Sequence, residues 1–540
     1  MIKIEQDTTI SAAFRRAVMA YGDNLLLMMP KNEQRGYHAD GYAVTYAEAG
    51  QQVDLLVEAY ADAGYGVGHR VGLDLENRPE HFLHKLALNS LGICCVPMNC
   101  EHRPNEFEYV VEHSKVDLIV AAGNRTSFVQ ETVGDRVAIC LDQEVLSNLP
   151  KADRTACYSK ISSNTPASIL YTSGTTGRPK GCVLSHGYEL ESGAWYLAQK
   201  GLSTFREGVE RLYNPLPLYH VNASVFSFYC LLLAGNCQVQ TDRFRPTRWW
   251  REILDCDVTV VHYLGVVVPM LLAQTPSAFD RSHKVNFGIG AGVEATLHQK
   301  FEERFGFPLI EVWGMTEVVA AFSDNYHPRS VGTRAFGKIP VQGIQARIVD
   351  ANDAPVPMGV TGELTVRHSE ATPRRRFFSG YLDDPVATET AWRGGWFHTG
   401  DMVRQTPDGT MHFVERGKNI IRRSGENIGA AEIEDALQSH PLVQQAVVIA
   451  VKDEIREEEV YACIVLTKET DRQQAATELF EFCMNQLSYY KAPGYIWFTH
   501  DVPKSGTQKV QKHLIFKNDC DPRDAAGVFD FRAKKIRRAA

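Results

Sequence analysis

The feature that most constrains this chain is a repeated switch between two hydrophobic periods, near 3.6 and near 2, over roughly the first three hundred residues. Tyr46–Ala63 carries apolar residues at helical spacing and stops at Gly64, a good C-cap residue. Arg70–Leu75 reads as a strand, Glu80–Leu91 as helix, Cys94–Met98 as a buried strand, Pro104–His113 as helix and Val116–Ala121 as strand. The pattern resumes with helix His186–Gln199, strand Arg211–Pro217, helix Val221–Leu233, strand Cys237–Gln240 and helix Thr247–Asp255. Val258–Val261, Val285–Ile289 and Leu309–Val312 are the next strands. Strand–helix alternation of this kind predicts an α/β fold built on doubly wound parallel sheets.

From about residue 330 to 415 the helical period disappears. Val341–Asp350, Gly362–Arg367 and Thr410–Glu415 read as short strands separated by Pro and Gly, which predicts a small β-barrel. Near Arg416 the pattern changes again, to helix Ala430–Ser439, strands Val443–Val451 and Val460–Leu466, helix Gln473–Leu487 and strand Tyr495–Thr499. At 540 residues the chain exceeds a single hydrophobic core. The expected division is a large N-terminal domain, 1–416, and a smaller α+β domain, 417–540.

Composition removes several classes of function. A net charge of -8 gives no electrostatic case for nucleic acid. The basic tail Arg532–Arg538 is read as a solvated end. The N-terminus lacks the apolar stretch of a signal peptide. The greasiest windows are Val258–Ala273, broken by His262, Gly265 and Pro269, and Ser224–Ala234, too short to span a bilayer. The twelve cysteines form no Cys-x-x-Cys pair, which points to reduced thiols, a cytoplasmic setting and no structural zinc.

The chemistry begins at Tyr171–Gly181, where an apolar run gives way to Thr172, Ser173, Gly174, Thr175, Thr176, Gly177, Arg178, Pro179 and Lys180. Glycines let backbone N–H groups close around an anion, hydroxyls add donors, and the cations add charge. The combination suits a polyphosphate. It is not a P-loop, because Lys180 follows a proline and does not open a Gly-Lys-Ser/Thr helix. A dinucleotide fingerprint also fails: Gly66-x-Gly68 and Gly288-x-Gly290 lack the third glycine at the required spacing. By composition alone the stretch reads equally well as a polar surface hairpin.

Four further motifs follow in order: Trp313-Gly314-Met315-Thr316-Glu317; Gly395–Asp401; Arg416-Gly417-Lys418-Asn419 leading into Ser424-Gly425-Glu426-Asn427; and Pro503–Lys509. Together with the first, this series resembles the adenylate-forming superfamily of acyl- and aryl-CoA synthetases, firefly luciferase and peptide-synthetase adenylation modules. Within it the chain is most similar to bacterial carnitine, crotonobetaine and fatty-acid CoA ligases. The resemblance implies ATP, Mg2+ and coenzyme A as cofactors, and a carboxylic acid activated as its acyl-adenylate.

The resemblance also implies roles. Thr172–Lys180 would hold the β- and γ-phosphates, with Thr176 and Glu317 at the metal, and Thr316 would lie at the α-phosphate. Asp401 and Arg416 would take the ribose, and Gly290-Ala291-Gly292 with Trp313, Gly314 and Met315 would flank the adenine. Lys509 would bridge carboxylate and α-phosphate, neutralising charge as it develops. Here Gln508 stands where the family usually has Gly, and Trp313 where Tyr is commoner. His220 would sit beside the acyl carboxylate, although a lone His before an apolar helix also reads as a core residue. Lys418 would be a hinge whose rotation exchanges Lys509 for Ser424-Gly425-Glu426, which faces the pantetheine arm. By the same analogy Tyr219, Val221, Asn222, Tyr263, Val267, Gly288, Ile289, Met315 and Val319 would wall the acyl pocket. Transfer to a separate carrier protein, a non-catalytic nucleotide binder, and a homodimer stay open.

Overall fold

The computed structural model describes residues 1–172, 178–339, 343–416, 420–468, 470–503, 512–516 and 520–537, with backbone alone at 320, 321, 415, 416 and 513. By compactness the chain falls into two units: 1–100, 110–171 and 181–415 form the first, and 101–109, 172–180 and 416–540 the second.

Two parallel sheets organise the first unit. In the larger, the strand order is Val318–Ser323, Leu309–Met315, Phe287–Ala291, Val260–Leu264, Arg211–Asn214, Cys237–Gln240, Leu25–Met29 and Tyr42–Thr45. The six inner strands run parallel, and the two end strands are antiparallel. Residues Cys237–Gln240 are buried throughout and Phe287–Ala291 and Val260–Leu264 at all but their last positions, as in strands covered on both faces. The second sheet places Cys94–Pro97, Arg70–Asp74, Leu118–Ala121 and Ala138–Leu141 in parallel register beside Pro166–Thr172 and Lys180–Ser185. Helix Tyr46–Asp62 shows why the boundaries fall where they do. Thr45 and Glu48 make a reciprocal capping box at its start, and Gly64 takes a left-handed φ of 92° just past its end.

The stretch expected as a barrel forms a five-stranded sheet with antiparallel ladders, in the order Ala335–Lys338, Thr410–Arg416, Phe397–Gln405, Gly362–Arg367 and Gln345–Val349. The second unit holds a mixed sheet centred on Glu457–Leu466, which pairs antiparallel with Val443–Asp453 and parallel with Tyr495–Phe498. All twelve cysteines are free thiols. Among the described residues no helix is long and apolar enough to cross a membrane.

Two expectations are corrected. The single helix read over Val221–Leu233 is a π-helical turn, Asn222–Ser227, followed by α-helix Phe228–Leu233. The widened turn frees carbonyls that side chains take up instead. Lys85 Nζ donates to the Ser224 carbonyl at 3.3 Å, and Gln238 Nε2 to that of Ala223 at 3.4 Å. Among the described residues the basic tail is solvated except at Lys535, where the expectation fails. The Lys535 side chain is fully buried, donating to Glu459 and to the Tyr490 carbonyl, while Phe531 stacks on Phe480 at 4.6 Å. Burial and the nearby Arg423 push the Lys535 ammonium down to about 7.

Candidate active site

The parallel strands Phe287–Ala291 and Leu309–Met315 are hydrogen-bonded neighbours, so the segments after both emerge on one side of the sheet. Carboxyl ends of parallel strands are where α/β folds bind ligands. Thr316 and Glu317 form a two-residue turn there, with Met315 paired to Val318 across the hairpin. Two tyrosines fix it. Tyr188 donates its phenol hydroxyl to the Thr316 carbonyl at 2.8 Å, and Tyr381 donates to Glu317 Oε1 at 2.8 Å. The Phe378 N–H adds a bond to the Glu317 carbonyl at 3.0 Å. Burial and the adjacent Glu317 carboxylate hold the Tyr381 phenol well above its ordinary range, so it stays a donor. Glu317 is 6% exposed, and its oxygens suit a hard cation. Among the described residues no cluster of three or more His, Cys, Asp or Glu could hold a metal.

The turn after Ala291 is held by a residue the motif reading passed over. Glu311 accepts from the N–H of Gly292 at 3.1 Å, the N–H of Val293 at 3.3 Å and the Tyr263 hydroxyl at 2.8 Å. Its burial raises its carboxyl above the usual range, with the Tyr263 hydrogen bond opposing. Gly292 has φ 85°, the left-handed region that favours glycine. Gly290 is required for a different reason: a Cβ there would lie 2.2 Å from the Tyr263 carbonyl oxygen. Glu311 was visible in the sequence only as an acid inside a strand run.

Asp401 reaches the same region from the five-stranded sheet. Thr399-Gly400-Asp401 is an irregularity inside strand Phe397–Gln405, where Glu363 pairs with Met402 and Thr365 with His398. Gly400 takes φ 75°, the Thr399 hydroxyl bonds the Leu364 carbonyl at 2.6 Å, and Glu363 accepts from the Gly400 N–H at 2.9 Å. Such bulges re-aim side chains. Here Asp401 Oδ2 accepts from Trp313 Nε1 at 2.9 Å, so two motifs 88 residues apart meet in one hydrogen bond.

His220 ends the loop Asn214–His220. Asn77 pins this loop by accepting from the Leu218 N–H at 3.0 Å and donating to the Leu216 carbonyl at 3.1 Å. The next residues enter the π-helical turn, where Phe226 lies 3.6 Å from where a Gly314 Cβ would stand. Tyr196 packs at 5.8 Å on Phe226 and 6.4 Å from His262. The acyl-wall expectation divides accordingly. Ile289 and Val319 lie in one core, against which Val221 and Met315 pack, whereas Tyr263 and Val267 lie in another. Strand alternation gives the reason, since His262 and Tyr263 must point to opposite faces of their sheet.

The remaining candidates sit in the second unit or outside the description. Thr172 closes one strand and Lys180 opens another, both half-buried. Ser424 and Gly425 make a two-residue hairpin turn with φ 51° and 88°, the signature of a type I′ turn, followed by Glu426. The Ser424 N–H donates to the Arg456 carbonyl at 2.9 Å. Ser173, Gly174, Thr175, Thr176, Gly177, Lys418 and Lys509 lie outside the described residues, as does the side chain of Arg416.

Residues 15–382 match the family model of the AMP-binding enzyme, and residues 432–509 that of the AMP-binding enzyme C-terminal domain. Crotonobetaine/carnitine–CoA ligases of Salmonella paratyphi B and Salmonella typhi are each 29% identical over 492 residues, spanning 87% of this chain and 92% of theirs. An o-succinylbenzoate CoA synthetase from Bacillus subtilis shares the fold with a TM-score of 0.79 at 22% identity, over 94% of this chain and 98% of that one. An amide bond synthetase from Marinactinospora thermotolerans shares it with a TM-score of 0.76 at 22% identity, over the same shares of each chain.

Proposed function

Since the chain belongs to the AMP-binding enzyme family, we propose that it is an ATP-dependent acyl-CoA ligase for a small-to-medium carboxylic acid. The observation that carries this reading is the convergence of Gly290–Gly292, Trp313–Glu317 and Thr399–Asp401 through the Trp313–Asp401 and Glu311–Gly292 hydrogen bonds. The substrate carboxylate attacks the α-phosphorus of ATP, the bond to the β-phosphate oxygen breaks, and pyrophosphate leaves. Thiol attack on the resulting acyl-adenylate then forms the thioester and releases AMP.

The chain's own residues have distinct tasks in this scheme. Asp401, oriented by Trp313, accepts ribose hydroxyls. Thr316 donates to the α-phosphate, and Glu317, held by Tyr381, supplies carboxylate oxygen for magnesium, which when bound offsets phosphate charge. Lys509 neutralises charge during adenylation, and Lys418 allows Ser424-Gly425-Glu426 to replace it for thioester formation. His220 orients the acyl carboxylate.

Panels of short, branched, aromatic and cationic acids, scored for CoA-dependent AMP production, test the reading. Acyl-adenylate that accumulates despite coenzyme A would favour a carrier protein or an amine as acceptor, the latter being the chemistry named for one protein of the same fold. Lys509→Ala should lower adenylation at least about 100-fold while sparing thioester formation from pre-made adenylate. Equal loss of both steps would remove the assigned role.

A further inference from the structure

The Ser424-Gly425 turn stands at the tip of a hairpin made by Ile420–Arg423 and Glu426–Gly429. Backbone pairing ties this hairpin only lightly to the sheet beside it. Among the described residues, Arg423 opposite Glu457 is the one register pair it makes with strand Glu457–Leu466. Side chains supply most of the remaining hold. Glu458 accepts from the Arg422 N–H at 2.6 Å, Arg456 Nη1 donates to Ser424 Oγ at 3.3 Å, and Arg423 Nε donates to Glu459 Oε2 at 2.7 Å. Ser424 sits at φ 51°, a left-handed conformation unfavourable to a residue with a Cβ. The turn therefore depends on these contacts to keep its shape.

Glu459 is shared with a second cation. Its other oxygen, Oε1, accepts from Lys535 Nζ, 76 residues further along the chain, and from the Val460 N–H at 2.9 Å. All three side chains of this group, Arg423, Glu459 and Lys535, are buried. Strand backbone closes in on the carboxylate, since a Cβ on Gly494 would lie 2.3 Å from Glu459 Cγ. The same glycine anchors the tail, its carbonyl accepting from the Phe531 N–H at 2.8 Å. Packing of the tail alone would be served by a leucine or methionine at position 535. A buried ammonium is costly unless it is paired. What this one adds is a clamp on the carboxylate that holds Arg423.

We infer that Lys535 is a positioning residue for the thioester step: by clamping Glu459 Oε1 it keeps Oε2 on Arg423 and so fixes the Ser424-Gly425-Glu426 turn. Arg423 is also the residue paired with Glu426 across the hairpin, so a shift of one moves the other. Segment Phe531–Lys535 thus serves the coenzyme A half of the reaction and is dispensable for adenylation. This rests on the ligase reading above, in which that turn faces the pantetheine arm. Loss of one charge-assisted hydrogen bond sets the effect at about tenfold.

The test measures the two half-reactions separately in the full chain, with the acid of the panel that yields most AMP. Adenylation is read as pyrophosphate release without coenzyme A, and thioester formation as a single turnover of the pre-made adenylate with coenzyme A. Lys535→Met should slow thioester formation about tenfold and leave adenylation within about twofold. Lys535→Arg, which keeps a charged donor, should recover to within about threefold of the parent chain. Phe531→Leu loosens the tail without touching Glu459 and should leave the ratio of the two steps unchanged. If Lys535→Met does not fold, Lys535→Gln keeps a neutral donor and should slow the second step alone, by about threefold. Equal loss in both steps, loss in neither, or the same one-sided loss in Phe531→Leu overturns the inference and leaves the ligase reading intact. If no acid of the panel yields AMP, the ligase reading falls and the inference with it.

Discussion

His262 and Tyr263 are consecutive residues of one strand, yet they serve opposite faces of the sheet. Tyr263 donates to Glu311, which holds the Gly292–Val293 turn we assign to the nucleotide. His262 accepts from Asn222 Nδ2 at 2.9 Å, in a relay that runs on to Asn214 and Ser227. Both are buried tyrosine- or histidine-anchored networks of comparable size. They differ in what lies at the far end: a carboxylate gripping backbone in the first, a side-chain amide in the second. Backbone-gripping networks shape a turn for a ligand that every turnover shares. A side-chain relay can be retuned without moving backbone.

The sharpest way to break this contrast is to damage each face separately. Glu311→Gln replaces one accepting oxygen by a donor facing an N–H group, and an unmet buried pair costs about 2 kcal/mol. It should lower kcat/KM for ATP about 30-fold, by the same factor for every acid in the panel. Differing factors between acids would erase the division of labour.

Trp313→Phe removes the donor to Asp401 Oδ2 and keeps an aromatic ring against Phe322 and Phe336. A hydrogen bond to a carboxylate, about 1.5 kcal/mol, sets the expected rise in the KM for ATP at about tenfold. The ratios among acids should stay fixed, as measured by competition between two substrates.

The smallest effect is one of pH. Burial pushes the His262 ring down to about 3, below its usual range. Below about pH 6.5 the unfolded chain takes up a proton that the folded chain refuses, so this residue's contribution to stability is lost as pH falls. His81, at about 3, and His186, at about 4, add to the same trend. Between pH 7 and 6 one such histidine accounts for about 0.7 kcal/mol. Denaturant unfolding of His262→Gln should show that much less acid sensitivity than the parent chain. An unchanged slope would mean that His262 is not held neutral.

The nucleotide face was the more legible of the two in the sequence. Thr316, Glu317 and Asp401 stand inside ordered motifs, and the strand–helix alternation placed most elements within a few residues of where they lie. Glu311 escaped because its partners are two backbone N–H groups and a tyrosine, none of which marks itself by spacing. His262 was noticed only as an interruption in the apolar window Val258–Ala273, although alternation along its strand already set it against its neighbours. The π-helical turn has no compositional mark, since it amounts to one residue more than an α-helix needs. Lys535 looked like part of a solvated tail because the carboxylate that buries it, Glu459, lies 76 residues earlier.

That extra residue has a consequence for how such a chain changes over generations. Each residue of an α-helix turns the chain by about 100°. Loss of a single codon within Ala223–Ser227 would restore regular winding and swing Asn222 and His220 by that angle relative to Phe228, whose helix stays anchored in the core. The sheets and the Gly292–Val293 turn would be left in place. A π-turn at this point is a hinge in sequence space, where one deletion re-aims two side chains that no single substitution could move together.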